Sequence, residues 1–357
     1  MSKIKLEELS QKTLVDLFKV YSKNTITVDS LWFINVAKRF GAETAEEMSR
    51  KVKERYGATD AIRLKRILGL PEEGGIPALA KALNFHIWIP GMEYEFPEVT
   101  EKKVVFNITD CFIQKETIKD NGPGFRCEQI CEAQYVNFAK SIDSRIETRC
   151  LLCQPEKSPK EVWCSWEFLL NGESGETIDG KAKIDYSDLS VETLSKLIRL
   201  YSKSVITIDG LWFINLEEKF NIDLAIELDV QVWEEYGTIE AKRLMKALQV
   251  AEGGGIPALV KALNFQIWVP DMECEFQEVT DKKVVFNITD CTPQKLRLRD
   301  NRGEFACKPV GVALFNKFAE GIDPRLSMRC LVCPPDKHPD DLWCSWEFRL
   351  EDFKIVD

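Results

Sequence analysis

The chain has 357 residues, of which 45% are hydrophobic and 30% are charged, and its formal net charge is −10. This composition excludes collagen-like, coiled-coil and mostly disordered proteins, and the acidic balance argues against a nucleic-acid-binding protein. No apolar run reaches the roughly 18 residues that a membrane helix requires, and the N-terminus lacks the apolar core of a secretory signal. We therefore predict a cytoplasmic protein that binds neither membranes nor nucleic acid.

An internal repeat organises the whole chain. Residues 102–111 return unchanged as residues 282–291, and the segment Trp163–Phe168 returns as Trp343–Phe348. Every match is offset by 180 residues without a gap, whereas solenoid proteins repeat every 20–50 residues or so. We therefore predict a duplicated domain. Its parts are a first repeat at 6–170, a linker rich in Gly, Glu and Lys at 171–183, and a second repeat at 184–350.

The first half of each repeat, at 6–90 and 184–270, has apolar residues at helical spacing. In the first copy, Ser10 precedes Leu14, Leu17, Phe18 and Tyr21, which predicts a first helix. Asp29 is predicted to cap a second helix that ends at Gly41. Further helices are predicted at 44–56, 59–69 and 76–84, with breaks at Gly57 and at Gly74-Gly75.

The second half of each repeat, at 91–170 and 271–350, changes to a mixed pattern. Strands are predicted at 93–96 and 104–108 around a turn at 100–102, then a helix at 129–141 and strands at 145–152 and 162–170. Alternation in the last strands places Cys150 and Cys164 on the less polar faces. The predicted fold class is α+β, in two tandem copies. Each copy is a helical half followed by a small antiparallel sheet, a packed helix and a four-cysteine metal site.

The cysteines carry the main chemical signal among the twelve Cys and two His of the chain. Four in each repeat follow the spacing Cys-x22-Cys-x2-Cys-x10-Cys, where a Cys-x2-Cys pair lets two thiolates converge on one ion and two further sulfurs complete a tetrahedron. We predict one structural zinc ion in each repeat, two per chain. An iron–sulfur cluster, a redox pair or disulfide, and small buried thiols are the alternatives. The predicted ligands are Cys127, Cys150, Cys153 and Cys164, and Cys307, Cys330, Cys333 and Cys344.

A fifth cysteine per repeat, Cys111 and Cys291, lies outside this run. Each follows an Asp at a strand end and precedes a Gln-Lys pair. It is interpreted as a buried thiol, as a residue lining a ligand pocket, or as a nucleophile whose thiolate the nearby Lys favours. The unpaired Cys131 and Cys274 have no predicted role.

The two histidines are not shared between the repeats. His86 and His338 align with Gln266 and Ser158 of the other copy, which excludes a Ser-His-Asp or Cys-His mechanism common to both. Shared polar pairs such as Asp29/Asp209 are interpreted as caps, salt bridges or solvated positions.

The second half of each repeat resembles the 4-vinyl-reductase-type small-molecule-binding domain. The resemblance is carried by Cys127 and the helix after it, Arg149–Cys153 and Trp163–Phe168, and it recurs from Cys307 to Phe348. It implies zinc bound by a Cys before a helix, a Glu-x-x-Cys pair and a late Cys, with Cys150 and Cys330 replacing the Glu here. Such domains commonly dimerise, which implies an intrachain pseudo-dimer of the two repeats that can assemble into a higher homo-oligomer.

The segment Asn107–Cys111, with Cys127 and Cys164, also resembles the L-2-amino-thiazoline-4-carboxylic acid hydrolase group, and the whole repeat resembles uncharacterised bacterial and archaeal proteins. These resemblances imply a ligand cavity above the sheet, closed by helices. We predict a tandem zinc-containing protein that binds a small-molecule ligand. The alternatives are a hydrolase of a small heterocyclic substrate with Cys111 and Cys291 in its pocket, and a cysteine redox sensor or iron–sulfur protein.

Overall fold

The computed structural model describes residues 3–111, 113–115, 127–153, 162–171 and 182–351, so most of the linker predicted at 171–183 lies outside the described residues. The helices of the first repeat are α1 (Gln11–Phe40), α2 (Ala42–Leu68), α3 (Gly75–Leu83) and α4 (Glu128–Ile142). Its strands are β1 (Glu93–Val99), β2 (Lys103–Asp110), β3 (Ile146–Leu152) and β4 (Cys164–Leu170). The second repeat has helices α5 (Val191–Lys219), α6 (Ile222–Leu248), α7 (Gly255–Leu263), α8 (Thr292–Arg299) and α9 (Lys308–Ile322). Its strands are β5 (Glu273–Gln277), β6 (Lys283–Asp290), β7 (Leu326–Val332) and β8 (Cys344–Leu350).

The strands form two four-stranded antiparallel sheets, which confirms the predicted α+β class. Their orders are β1-β2-β4-β3 and β5-β6-β8-β7. The β1–β2 turn is fixed by Thr100, whose hydroxyl oxygen accepts a hydrogen bond from the Lys103 N–H at 2.7 Å. In both sheets the fourth strand lies between the second strand and the third. In the first repeat this order places β4 beside both β2 and β3.

The helix that precedes the third strand packs between the sheet and a long helix. In the first repeat α4 contacts both α2 and β3, and its Tyr135 ring lies 5.1 Å from Trp166 of β4. In the second repeat Phe315 of α9 lies 4.8 Å from Trp346 of β8. These rings are buried, so an aromatic core holds the middle of α4 and of α9 against the sheet.

The predicted cap at Asp29 is wrong, because α1 runs unbroken from Gln11 to Phe40. Asp29 is a buried residue in the helix interior. Its carboxylate accepts a hydrogen bond from the Trp212 indole N–H at 2.9 Å, and Trp32 donates in the same way to Asp209 at 2.8 Å. The two carboxylates are thus satisfied by tryptophan side chains from the other repeat instead of by a helix terminus.

The predicted break at Gly57 is also wrong, because α2 continues through it. A β-carbon at Gly57 would lie 2.5 Å from the Gln134 carbonyl oxygen, and one at Gly237 would lie 2.8 Å from the Leu314 carbonyl oxygen. These glycines therefore serve the close approach of two helices. The break at Gly74-Gly75 is confirmed, since Gly75 has φ +60° at the start of α3.

The compact units of the chain do not coincide with the repeats. One unit comprises Met1–Asn35 and Ile198–Asp357, and the other comprises Val36–Leu197. In the second unit the Asn84 side chain accepts a hydrogen bond from the Ile184 N–H at 2.9 Å. In the first unit the equivalent Asn264 accepts one from the Ile4 N–H at 2.8 Å. The segment before α1 therefore belongs to the same unit as Asn264 of the second repeat, and the segment before α5 belongs to the same unit as Asn84 of the first repeat.

A buried acid on the long helix of each repeat holds the turn after the third helix. Glu240 accepts a hydrogen bond from the Ile267 N–H at 2.6 Å, and Asp60 accepts one from the Ile87 N–H at 3.2 Å. Both side chains are fully buried. Burial raises the pKa of Glu240 to about 8 and that of Asp60 to about 7.

The substitution Glu240→Gln is expected to change the pH dependence of stability. Between its ordinary pKa of 4.5 and about 8, the folded protein holds a proton that the unfolded chain has lost. The stability from this group is therefore fully present below pH 4.5 and is lost as the pH rises to about 8. Thermal unfolding at several pH values should show that the unfolding temperature of Glu240→Gln rises relative to that of wild type as the pH increases over this range. The exposed substitution Glu235→Gln is the control, and parallel curves for Glu240→Gln and wild type would contradict the assignment.

No helix among the described residues combines the length and the apolarity needed to cross a membrane.

Candidate metal centre

The four predicted ligands of the second repeat come from a helix start and two neighbouring strands. Cys307 immediately precedes α9, Cys330 lies in β7, Cys333 follows β7, and Cys344 begins β8. Because β7 pairs with β8 and α9 packs on β7, these positions meet at one end of the sheet. The first repeat places Cys127, Cys150, Cys153 and Cys164 on the equivalent elements.

A β-bulge explains how both members of the Cys-x2-Cys pair reach the same side. Residues three apart in a regular strand point to opposite faces. The register of β3 against β4 shifts between Cys150 and Leu152, and that of β7 against β8 shifts between Cys330 and Val332. The extra residue at such a bulge re-aims the side chains that follow it. The additional residue is Leu151, whose exposed fraction is 53%.

The thiols of the second repeat lie near Cys333. The sulfur atoms of Cys307 and Cys333 are 3.6 Å apart, and Cys330 and Cys344 are close enough to act on the pKa of Cys333. Hydrogen bonds with Cys333 lower the pKa of Cys307 and of Cys330, and those same bonds raise the pKa of Cys333. The four predicted residues therefore lie close together at one end of the sheet.

The first repeat has the same arrangement with one additional thiol. The sulfur atoms of Cys127 and Cys153 are 3.3 Å apart, and Cys150 lies near both of them. Burial raises the pKa of Cys164, and neighbouring thiols raise it further. Cys127 and Cys153 raise the pKa of Cys131, so this thiol, for which the sequence predicted no role, lies beside the first cluster.

The second repeat has Gly311 where the first has Cys131. A β-carbon at Gly311 would lie 2.6 Å from the ring of Trp346. The Trp346 ring therefore fills the space that the Cys131 side chain would need in the second repeat, and the first cluster has one more thiol beside it than the second. The comparison of the two repeats showed that Cys131 has no counterpart in the second repeat, but it could not show which residues Cys131 contacts. Cys131 lies one helical turn beyond Cys127, and its side chain points back towards Cys127 only once α4 is formed.

A glutamine that follows the fifth cysteine supports the cluster in the second repeat. Gln294 is buried, and its amide nitrogen donates to the Phe305 carbonyl oxygen at 2.7 Å and to the Cys307 sulfur at 3.4 Å. Its carbonyl oxygen accepts from the Phe305 N–H at 2.8 Å. Gln294 thereby fixes the chain that leads into Cys307, as outer-shell groups do at metal sites.

Cys111 and Cys291 lie beside the clusters. Cys291 is the residue before α8, and its thiol accepts a hydrogen bond from the Gln294 N–H. Burial raises the pKa of Cys111 to about 11 and raises that of Cys291 as well. The thiols are therefore protonated at neutral pH, which disfavours the nucleophile interpretation.

The histidines take no part in the clusters. His86 is fully buried, stacks on Phe138 at 4.6 Å, and lies 2.6 Å from the Gln134 amide nitrogen. Burial lowers the pKa of His86 to about 3, so the ring is neutral. His338 lies 3.6 Å from Glu304 and beside Trp343.

In the described ranges of the chain, no group of three or more His, Cys, Asp and Glu side chains is placed so that it could hold a metal ion. Each cluster is therefore a set of neighbouring thiols in which one pair is in contact.

The comparisons with known proteins agree with the duplication. The model of a family of unknown function, DUF6125, matches residues 7–170 and again residues 187–350. No curated protein and no solved structure matches the chain. The interpretation as an uncharacterised family in tandem is thus confirmed, while the resemblances to 4-vinyl-reductase-type domains and to the hydrolase group stay predictions. With two matches that together cover most of its length, the chain belongs to the DUF6125 family.

Proposed function

We propose that the protein is a tandem small-molecule-binding protein in which a zinc ion stabilises each repeat. The proposed ligands are Cys127, Cys150, Cys153 and Cys164 in the first repeat and Cys307, Cys330, Cys333 and Cys344 in the second. The observation that carries the proposal is the short separation of one pair of sulfur atoms at equivalent positions in the two repeats, Cys127 and Cys153 at 3.3 Å and Cys307 and Cys333 at 3.6 Å. A four-thiolate site without an open position is typical of structural zinc.

The distances between sulfur atoms fit one small ion. Zinc–sulfur bonds of about 2.3 Å in a tetrahedron place the sulfurs about 3.8 Å apart. The measured separations are 3.6 Å for Cys307 and Cys333 and 3.3 Å for Cys127 and Cys153. Zinc would require a small outward movement of the sulfurs and loss of the protons that they share. An iron–sulfur cluster interposes several atoms between its cysteines, so such short separations favour a single ion.

Binding is favoured over catalysis by the state of the fifth cysteine. A hydrolase that uses Cys111 or Cys291 needs a reactive thiolate, yet burial raises the pKa of both thiols. The hydrogen bond from the Gln294 N–H gives Cys291 a structural role at the start of α8. We assign these cysteines to the wall of the ligand site.

The intrachain pseudo-dimer is supported by reciprocal contacts within the first unit. Trp32 of α1 and Trp212 of α5 stack with their ring centres 6.4 Å apart and their planes within 5°. Each of these tryptophans also donates to an aspartate of the other helix. Equivalent residues of α1 and α5 thus make the same contacts with each other, as at a two-fold interface.

Metal analysis of the protein purified without chelator tests the zinc proposal. We expect two zinc ions per chain and no visible absorption band. After exchange with Co²⁺, the intense thiolate-to-cobalt bands of a tetrahedral four-sulfur site should appear with the same stoichiometry. A chain that contains no metal when it is purified anaerobically would overturn the proposal, and bound iron with a broad visible band would replace it with the iron–sulfur alternative.

A further inference from the structure

The helix α8 is attached to the rest of the first unit mainly by polar side chains. It lies between Cys291, directly after β6, and Cys307, directly before α9. The buried residues of α8 are Gln294 and Arg297, whereas its Leu298 side chain is 45% exposed. A segment that buries little apolar surface opens locally at a lower free energy than the core does. The attachment of α8 therefore depends on its hydrogen bonds and ion pairs.

An ionic latch joins α8 and the chain after it to α5. The Arg297 guanidinium donates two hydrogen bonds to the Glu217 carboxylate, at 3.0 Å and 3.3 Å. Arg302 donates to the same carboxylate at 2.9 Å and to that of Glu218 at 2.5 Å. Charge-assisted bonds of this kind are stronger than bonds between neutral groups. The Glu217 and Arg302 side chains are 17% and 29% exposed, so added salt can screen their attraction.

Two phenylalanine rings pack beside this latch, which consists of Glu217, Glu218, Arg297 and Arg302. The Arg297 guanidinium lies 5.5 Å from the ring centre of Phe213 and 5.8 Å from that of Phe305. The two ring centres are 4.9 Å apart. The Phe305 carbonyl oxygen accepts a hydrogen bond from the Cys307 N–H at 2.8 Å. Release of Arg297 therefore loosens the segment that leads into Cys307.

The first turn of α8 lies against the thiol of Cys307. The Gln294 amide nitrogen is 3.4 Å from the Cys307 sulfur, and the Gln294 side chain also binds the Phe305 backbone. Cys291 directly precedes α8 and is partly exposed, as is Cys307. When α8 moves away from α5, Gln294 moves with it, and both cysteines become more accessible.

We propose that α8 is a lid beside the second cysteine cluster and that the latch controls its opening. An open lid gives small electrophiles, oxidants and chelators access to Cys291 and Cys307. The consequence for metal exchange rests on the proposed function, because it requires zinc at Cys307. The consequence for the reactivity of the two thiols does not.

The sequence confines the latch to the second repeat. In the first repeat, the positions of Glu217, Glu218, Arg297 and Arg302 are occupied by Ala37, Lys38, Thr117 and Gly122. These four residues include no acid, so they cannot form the same ion pairs. The cysteines of the first repeat therefore serve as an internal reference in the same molecule.

Alkylation of the full-length protein by iodoacetamide, read for each cysteine by peptide mass spectrometry, tests the lid. Glu217→Gln keeps the shape of the side chain but removes its charge, and alkylation of Cys291 and Cys307 should become about tenfold faster. Sodium chloride should also accelerate alkylation of these two cysteines in wild type, and much less in Glu217→Gln. Alkylation of Cys127 should keep its wild-type rate. Glu227→Gln, which changes an exposed acid of α6, is the matched control.

The outcomes separate this inference from the zinc proposal. Unchanged alkylation of Cys291 and Cys307 in a folded Glu217→Gln variant would overturn the lid. If that variant failed to fold, wild-type alkylation that did not respond to salt would overturn it instead. Equal acceleration at Cys127 would also overturn it, because it would show a general loss of stability. Two zinc ions per chain with unchanged alkylation would refute the lid alone, and faster alkylation in a chain without zinc would refute only the metal proposal.

Discussion

Cys333→Ser is expected to remove one of the two zinc ions and to destabilise the protein strongly. Cys333 is one of the four proposed ligands, and its sulfur lies 3.6 Å from that of Cys307, so its loss leaves the second cluster with three of its four ligands. When free zinc exceeds its dissociation constant about 1,000-fold, binding stabilises the folded state by about 4 kcal/mol. Losing the site should therefore lower the unfolding midpoint by several degrees, as measured by circular dichroism alongside zinc content.

The control for this prediction is Cys274→Ser, because Cys274 is also buried but lies in β5 away from the cysteine run. Cys274→Ser should retain two zinc ions per chain. A second variant, Cys164→Ser, which changes the proposed ligand at the start of β4, should remove the zinc of the first repeat instead. If Cys333→Ser kept both ions and melted at the wild-type temperature, these thiols would be packing residues and the zinc assignment would fail.

The extra thiol of the first repeat, Cys131, predicts that the two clusters respond differently to the loss of a ligand. Cys131 lies beside Cys127 and Cys153, whereas Gly311 occupies the same position in the second repeat. A spare sulfur beside the first cluster can replace a lost ligand. We therefore expect Cys127→Ser to lose less zinc than Cys307→Ser under identical conditions. Equal loss from the two variants would show that Cys131 does not act as a substitute.

The sequence predicted the parts of this structure that depend on periodicity and spacing. Strict alternation placed Cys150 beside Thr148 and Ile146 on one face of β3, and the burial of that strand agrees. The equal spacing of four cysteines in both repeats predicted a cluster, and contacts among the thiols bring those residues together. Such patterns are readable because the side-chain direction along a strand has a fixed period.

The sequence could not reveal features that depend on what a residue meets in the folded chain. Asp29 has the composition of a helix cap, but its partner is the Trp212 indole, 183 residues away in sequence. Asp229 gives no local signal at all, since only the approach of α5 places it beside Asp209. Polar residues in a helix interior are ambiguous until their long-range partners are known.

Gly57 and Gly237 illustrate the same limit for the backbone. Glycine is a helix breaker by intrinsic propensity, which is why the sequence predicted a break between 44–56 and 59–69. In the folded chain both glycines lie inside continuous helices, where α4 and α9 approach too closely for a β-carbon. Tertiary packing thus overrides a local preference of about 1 kcal/mol.

Gly237→Ala is expected to destabilise the protein, although alanine is the better helix former. Its β-carbon would lie 2.8 Å from the Leu314 carbonyl oxygen and 3.1 Å from the Phe318 nitrogen. Backbone atoms cannot move aside as a flexible side chain can, so α9 must shift away from α6. Overpacking of this kind costs about 1–3 kcal/mol. Urea unfolding should therefore show a lower midpoint with an unchanged slope.

The same chain provides a matched control in Gly210→Ala. Gly210 also lies inside a long helix, α5, but a β-carbon there would have no heavy atom within 4 Å. The substitution should therefore raise stability by about 0.4–1 kcal/mol, because alanine reduces the conformational freedom of the unfolded chain. The two alanine variants are thus expected to differ in sign. If Gly237→Ala were as stabilising as Gly210→Ala, the contact between α6 and α9 would be looser than their separation indicates. In that case α9, which begins directly after Cys307, would not be held rigidly against α6.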